Sequence, residues 1–225
     1  MSRSIVFSQD EFYHLYNRGT EKRIIFSAKA DYERFIALLY LCNDTQNVHL
    51  NDRPSSNLAE RLLLERVSPL LNIGAYCLMP NHFHLIVQER GDNGISRFMQ
   101  KIITGYTMYF NKRYERTGAL FQGEFKATHA NQDEYLKYLI SYIHLNPIKI
   151  IDSQWKEEGI KDKKRAENFL DQYLYSSYLD YCGKTRPERK VINKDVLPRY
   201  FSSVNNFKTT TRDWLTSTPK VEPRG

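Results

Sequence analysis

Alternating polar and apolar residues mark four candidate strands within the first 130 residues. The first is residues 11–18 (EFYHLYNR), a run rich in aromatic side chains. Residues 72–79 and 82–89 are two further strand-like runs separated by only two residues, which predicts an antiparallel hairpin. Residues 125–130 (FKATHA) alternate again and predict a fourth strand.

Three other segments repeat apolar residues at helical spacing. We predict helices over residues 28–43, with Ser27 as a cap, over residues 94–114, and over residues 132–146, where Pro147 ends the helix. The first six elements follow the order βαββαβ, which is the ferredoxin-like arrangement. The pattern therefore predicts an α+β fold, in which an antiparallel sheet carries helices on one face.

Composition changes along the chain predict three regions. Residues 1–150 hold the predicted sheet and helices, interrupted by a turn-rich insertion at residues 44–69. Residues 151–183 contain an aromatic segment with enough apolar bulk to dock on the domain as a helical or extended appendage. Residues 184–225 are basic and weakly periodic, so we expect a partly disordered tail. The basic residues at the start of this tail are Lys184, Arg186, Arg189 and Lys190.

The charge and aromatic content favour a nucleic-acid partner. The chain has 33 Lys and Arg against 26 Asp and Glu, and 16 of its residues are tyrosines. Cations can bind phosphates while aromatic rings stack on bases. Many proteins are mildly basic, so composition suggests this class of partner without establishing it.

Several other classes are disfavoured by the sequence. No apolar run approaches the roughly 20 residues of a membrane-spanning helix, and the first residues lack the apolar core of a signal peptide. We therefore expect a cytoplasmic, nucleoid-associated protein. Cys42, Cys77 and Cys182 lie far apart with no Cys-x-x-Cys pair, which supports neither a disulfide framework nor a cysteine zinc site.

The hairpin contains two histidines separated by a single residue. Because side chains alternate along a strand, His82 and His84 project from one face while Phe83 and Leu85 project from the other. Two convergent imidazoles could hold a divalent cation, or both could be hydrogen-bonded surface residues. Zinc is the less favoured metal, since its tetrahedral sites need three or four protein ligands.

The third predicted helix carries a stripe of tyrosines. Tyr135, Tyr138, Tyr142 and Asn146 are spaced 3, 4 and 4 residues apart and so share one face. Such a stripe could be a packing surface or could present a reactive phenol. Periodicity alone does not choose among these tyrosines.

Four motifs together resemble the REP-associated tyrosine transposases, a group within the single-tyrosine HuH transposases. They are PNHFHLIV, GALFQGEFKA, SYIHLNP and YSSYLDYCG, and the resemblance extends from about residue 11 to residue 183. The last motif departs from the family pattern, because Tyr175 stands where the family often has Trp.

The resemblance implies a chemistry for these motifs. His82 and His84 would bind Mg²⁺ or Mn²⁺, with Asn146 as a third ligand, and Tyr142 would be the nucleophile. The protein would cut single-stranded DNA beside palindromic hairpin repeats through a 5′-phosphotyrosine intermediate, as a monomer or homodimer. Candidate contacts to the DNA backbone are Arg97, Lys101, Lys112, Arg113 and Lys126.

Two other functions stay open at this point. The same chemistry would serve an HuH nuclease that starts plasmid or phage replication or mobilisation. The same fold with aromatic residues on its sheet could also bind single-stranded DNA or RNA without cutting it.

Overall fold

A four-stranded antiparallel sheet forms the centre of the computed structural model, which describes residues 5–47, 57–91 and 93–214. Its strands are β1 (Phe12–Arg18), β2 (Leu71–Met79), β3 (His82–Glu89) and β4 (Lys126–His129). They lie in the order β2-β3-β1-β4. The predicted α+β fold with an antiparallel, ferredoxin-like sheet is therefore confirmed.

Two long helices cover one face of the sheet. They are α1 (Lys29–Leu41) and α3 (Gly94–Arg113), the two helices that connect strands in the predicted order. Their apolar sides pack against inward-facing sheet residues, among them Leu15, Phe83 and Leu85, to form the larger core. Both helices begin and end within two residues of the predicted bounds.

A second core lies on the opposite face of the sheet. Helix α4 (Asp133–Leu145) packs there against β2 and β3, together with elements that follow it in the chain. The sheet contributes small and medium apolar residues to this core, including Ala75, Cys77 and Ile86. Helices therefore cover both faces of the sheet, whereas the sequence predicts them on one face, because α4 and the elements after it bury the apolar residues that β2 and β3 present on the second face.

Helix α1 begins differently from the prediction. The residue before its first turn is Ala28, and Ser27 makes no side-chain cap. The buried carboxylate of Asp31 accepts hydrogen bonds from the backbone N–H groups of Ser27 (2.8 Å) and Ala28 (2.9 Å) instead. A carboxylate in the first turn satisfies free N–H groups and is favoured by the helix dipole, so it replaces a hydroxyl cap.

A bulge in β2 breaks the alternation that the sequence suggests. The pairing of β2 with β3 shifts between Ile73 and Ala75, so Gly74 is an extra residue on its strand. As a result Ile73 and Tyr76 contribute to the same core although they are three positions apart. A Cβ at Gly74 would lie only 3.0 Å from the Leu197 side chain, so the position also needs a small residue.

The remaining helices are short, and most follow the sheet domain. Helix α2 (Leu58–Leu62) lies in the predicted insertion, of which residues 48–56 fall outside the described ranges. The later helices are α5 (Trp155–Glu158), α6 (Lys163–Leu170), α7 (Tyr178–Tyr181) and α8 (Val204–Trp214). In the described part of the chain, none of the helices combines the length and apolar character needed to cross a bilayer.

Residues 173–186, here called the docked segment, run along the edge of β2. Ser176 pairs with Cys77 in an isolated antiparallel bridge, and the Ser177 hydroxyl accepts a hydrogen bond from the Tyr76 N–H (2.9 Å). The Tyr173 hydroxyl donates to the Leu78 carbonyl (2.6 Å). The segment thereby covers an edge strand that would otherwise present unpaired backbone groups.

A buried ion pair closes the docked segment. The Arg186 guanidinium lies 2.5 Å from the carboxylate of Asp180, which is fully buried. Arg186 also donates to the Leu174 carbonyl (2.7 Å) and the Tyr76 hydroxyl (3.2 Å). This arginine, at the start of the predicted basic tail, therefore serves the fold rather than an external phosphate.

We predict that Asp180→Ala destabilises the protein by about 3–5 kcal/mol, because it leaves the Arg186 guanidinium buried without its counter-ion. Urea denaturation at neutral pH measures this change. The control is Glu158→Gln, which removes the exposed pair between Glu158 and Lys161 (2.9 Å) and should leave the free energy of unfolding unchanged. Equal effects of the two substitutions would contradict the role assigned to the buried pair.

Candidate active site

Strand β3 presents two imidazoles on the sheet face that carries α4. The ring centroids of His82 and His84 lie 5.0 Å apart with their planes nearly perpendicular. Phe83 and Leu85 point into the larger core on the other side. His84 is buried and His82 is partly exposed. The strand thus brings the two histidines together on one face.

His82 is hydrogen-bonded to its neighbour in the β2–β3 turn. His82 Nδ1 lies 2.6 Å from Asn81 Oδ1. The amide of Asn81 is oriented by a second bond, in which its Nδ2 donates to the Lys22 carbonyl (3.2 Å). Because an amide oxygen only accepts hydrogen bonds, Nδ1 is the donor in this contact.

A third histidine, His14 of β1, lies against the pair. Its ring stacks on His84, and its Nε2 lies 2.9 Å from His84 Nδ1. Burial lowers the pKa of His14 to about 3, so the ring is neutral at physiological pH. The sequence suggests only a structural or phosphate-contacting role for this residue. The sequence signal for its position is that His14 and Tyr16 alternate with the core residues Tyr13 and Leu15, which puts both side chains on the face opposite that core.

Tyr142 is the tyrosine of the α4 stripe whose ring meets the histidines. Its ring centroid lies 5.8 Å from that of His84 and 6.3 Å from that of His14, both edge-on. Tyr138 lies one turn earlier, 5.8 Å from Tyr142, and is 5% exposed, whereas Tyr142 is half-buried. The geometry therefore distinguishes among tyrosines that helical spacing leaves equivalent.

Asn146 follows the last residue of α4 and is buried. Its Nδ2 donates to the Tyr142 carbonyl (3.2 Å), which leaves the amide oxygen as the atom able to bind a cation. Among the described residues, no three His, Cys, Asp or Glu side chains cluster closely enough to hold a metal ion. Two imidazoles and one amide suit a cation that completes its shell with water and substrate oxygens.

Tyr16 and Lys126 extend the site across the sheet. Tyr16 lies opposite His84 on β1, and its ring centroid is 5.9 Å from that of His84. Burial, with a smaller contribution from Tyr142, raises the pKa of Tyr16, so this phenol stays protonated. The exposed ammonium of Lys126 lies 5.9 Å from the Tyr16 ring centroid. Lys126, one of the predicted DNA contacts, therefore lies on the same face as the histidines.

The other four predicted DNA contacts lie on the opposite side of the sheet. They line a cavity of about 980 Å³ between α1 and α3. Lys101 donates to the carbonyls of Asp44 (2.6 Å) and Gln46 (2.8 Å) there, and Arg113 lies 3.5 Å from Asp31. The described residues lining this cavity include no acid and five cations: Arg34, Arg97, Lys101, Lys112 and Arg113.

The histidine between Tyr142 and Asn146 in sequence has a structural role. His144 is fully buried, and its Nε2 lies 2.7 Å from the Ser177 hydroxyl of the docked segment. Burial lowers its pKa to about 3, so the ring is neutral. The bond fastens α4 to the segment that is itself hydrogen-bonded to β2. His49, for which the sequence suggests a similar role, lies outside the described residues.

Comparisons with known proteins give matches to a family model and to solved structures. Residues 65–146 match the family model described as "Transposase IS200 like". A solved structure titled "Structure of the REP associates tyrosine transposase bound to a REP hairpin" is 14% identical, with a TM-score of 0.49, covering 90% of this chain and 99% of that one. No curated protein matches the chain. Over residues 65–146, the segment that holds both histidines, Tyr142 and Asn146, the family model confirms that this chain resembles IS200-like transposases.

Proposed function

We propose that this protein is a metal-dependent endonuclease and strand transferase that acts on single-stranded DNA beside hairpin-forming repeats. The observation that carries the proposal is the contact between the ring of Tyr142 and that of His84, on the sheet face that also presents His82. Such chemistry requires a phenol that can attack phosphorus and imidazoles that can bind a cation. In His82 and in His84 the Nδ1 atom is hydrogen-bonded.

The proposed reaction is a transesterification at phosphorus. The phenol oxygen of Tyr142 forms a bond to the phosphorus of a DNA phosphodiester and loses its proton. The bond from phosphorus to the 3′ oxygen breaks, and that oxygen takes up a proton. The products are a 5′-phosphotyrosine and a free 3′-hydroxyl. Since one phosphoester replaces another, a second 3′-hydroxyl can reverse the step and join strands without a nucleoside triphosphate.

Three residues would hold the cation in this site: His82 and His84 through ring nitrogens and Asn146 through its amide oxygen. When bound, the cation supplies a Lewis acid that neutralises charge on the phosphoryl oxygens. A phenol with a pKa near 10 is a weak nucleophile at neutral pH, so attack by Tyr142 would depend on this charge.

The two sets of cations suggest two contacts with one DNA molecule. Lys126 lies on the same sheet face as the histidines and would bind a phosphate near the cleaved bond. The cations of the α1–α3 cavity lie on the far side of the sheet and could bind the backbone of a paired stem. A hairpin with a single-stranded flank offers both a stem and an accessible phosphate.

Tyr142→Phe should abolish the covalent protein–DNA adduct on a hairpin substrate with a single-stranded flank. Binding should stay within about threefold, because only the attacking hydroxyl is removed. Denaturing electrophoresis of labelled DNA measures the adduct. Tyr138→Phe, one turn away, is the matched control and should keep it. An adduct that survives Tyr142→Phe but is lost with Tyr138→Phe would move the nucleophile by one turn, and tight binding without any wild-type adduct would indicate a non-cleaving module.

Chelation should remove cleavage, and so should loss of either histidine. His82→Ala and His84→Ala should each reduce the rate by orders of magnitude, because both act on one ion. The double substitution should cost little more than either single one. Single-turnover cleavage in Mg²⁺, in Mn²⁺ and in EDTA tests this. Full activity in EDTA would remove the cation from the mechanism.

Replacing cations of the α1–α3 cavity should weaken hairpin binding and spare chemistry. For Arg97→Gln with Lys112→Gln, the slope of log affinity against log salt should fall by roughly 0.7–0.9 for each lost phosphate contact. Adduct formation at saturating DNA should be unchanged. Lys163→Gln with Lys164→Gln removes equal charge from exposed positions on α6 and should not alter the slope. Equal slopes for both variants would exclude this cavity as a DNA contact.

A further inference from the structure

We propose that Arg18, oriented by Gln122, binds a backbone phosphate of the single-stranded flank next to the phosphate that is cleaved. The inference rests on the proposed function and deepens it, because it names a residue that binds the flank rather than the stem. Arg18 is the exposed last residue of β1, and its partner across the sheet is His82.

Alternation along β1 places Arg18 on the face that carries the histidines. Tyr16, two residues earlier, has its ring on that face beside His84, and side chains two positions apart on a strand share a face. Residues directly opposite on paired strands have Cβ atoms about 5 Å apart, so the Arg18 side chain begins next to that of His82. Tyr16 is paired with Lys126 on its other side. Arg18 and Lys126 are therefore two exposed cations beside the imidazole pair.

Gln122 orients the guanidinium without neutralising it. The Nε of Arg18 donates a hydrogen bond to Gln122 Oε1, an oxygen that carries no formal charge. The backbone of Gln122 is held as well, because its N–H donates to the Arg18 carbonyl (2.8 Å). On the other face of β1, Asn17 Nδ2 donates to the carbonyl of the next residue, Gly123 (3.3 Å). The partner of Arg18 is therefore fixed to the same strand, and the positive charge of Arg18 is retained.

The rest of the Arg18 guanidinium is available to a ligand. In the described part of the chain, its two terminal amino groups have no hydrogen-bond partner and no carboxylate forms an ion pair with it. The structural arginine of the fold is different, since Arg186 is paired with the buried Asp180. Two parallel N–H groups of a guanidinium match two oxygens of a phosphate, which favours a phosphodiester as the ligand.

The strand surface around Arg18 has no charge that would repel a phosphate. Glu89 is the only acidic residue in the four strands, all of which are described, and it faces the other way. Its carboxylate accepts from the N–H groups of Gly94 and Ile95 (both 3.0 Å) at the start of α3. The face with the histidines thus combines two cations with no strand carboxylate, which suits the backbone of a single strand.

Binding in EDTA to a DNA hairpin with a single-stranded flank tests the proposal without cleavage. Arg18→Gln should weaken binding roughly tenfold, the loss expected for hydrogen bonds to a charged group, and should change binding to the same hairpin without a flank by less than about twofold. Arg18→Lys should recover only part of this loss, because an ammonium lacks the planar fork. Gln122→Ala should also weaken binding to the flanked hairpin, because the guanidinium loses its orientation.

Arg90→Gln is the matched control for charge. Arg90 is exposed and follows the last residue of β3, at the opposite end of that strand from His82. Its replacement removes the same charge and should leave the affinity for both hairpins unchanged. Equal losses with Arg90→Gln and Arg18→Gln would overturn the proposal, because total charge rather than the position of Arg18 would then explain the effect.

Single neutral phosphates in the DNA identify the contact. A methylphosphonate, which carries no charge, should weaken wild-type binding at one position of the flank, and the same modified DNA should bind Arg18→Gln no more weakly than unmodified DNA does. This loss of additivity is expected when the two changes remove one interaction. Methylphosphonates in the stem should have the same effect on the wild type and on Arg18→Gln.

The outcomes separate this inference from the proposed function. Additive effects at every flank position, or loss of additivity in the stem instead, would overturn the role of Arg18 even if the protein forms the covalent adduct. Loss of additivity in the flank, in a protein that forms no adduct with Mg²⁺ or Mn²⁺, would support the role of Arg18 and reject cleavage. If Arg18→Gln fails to fold, Gln122→Ala with the same modified hairpins decides the outcome, because it leaves the arginine in place.

Discussion

The pleat of strand β3 is the constraint on which the site depends. Alternate side chains of a strand must point to opposite faces, so Phe83 and Leu85 can anchor the large core only if His82 and His84 face the other way. A shift of one residue in the pairing of β3 with β1 would turn the imidazoles into the larger core and turn Phe83 and Leu85 toward the face that carries α4. The packing of the larger core therefore also determines where the two candidate ligands lie.

Helix α4 carries Tyr142 and ends next to Asn146, so its position determines where both proposed site residues lie. Its apolar side packs on β2 and β3, and His144 fastens it to Ser177 of the docked segment. The buried pair of Arg186 with Asp180 closes that segment. The residues beyond position 150 thus contribute to the geometry of Tyr142 without lying in the site, which gives the appendage a role in positioning the proposed nucleophile.

The cations predicted to contact DNA are divided between the two faces of the sheet. Lys126 accompanies the histidines and Tyr142, whereas the cations of α3 lie behind the sheet in the α1–α3 cavity. Some of these cations also serve the protein itself, since Lys101 binds backbone carbonyls and Arg113 approaches Asp31. A substrate that uses both faces must have two parts, which agrees with a stem and a single-stranded flank.

Local periodicity is enough to predict the four strands, the long helices and the sharing of one face by His82 and His84. It also places Tyr142 and Asn146 on one face of α4, because residues four apart are neighbours on a helix. Periodicity does not reveal that Tyr142 rather than Tyr138 meets the histidines, or that His14 lies against His84. These facts depend on the order of the strands and on where α4 lies along the sheet. Both depend on contacts between residues distant in sequence, such as His14 and His84, which are 70 positions apart. For the same reason the sequence does not show that Lys126 and the cations of α3 lie on opposite sides of the sheet. A local charge pattern does not determine which side of a sheet its residues occupy.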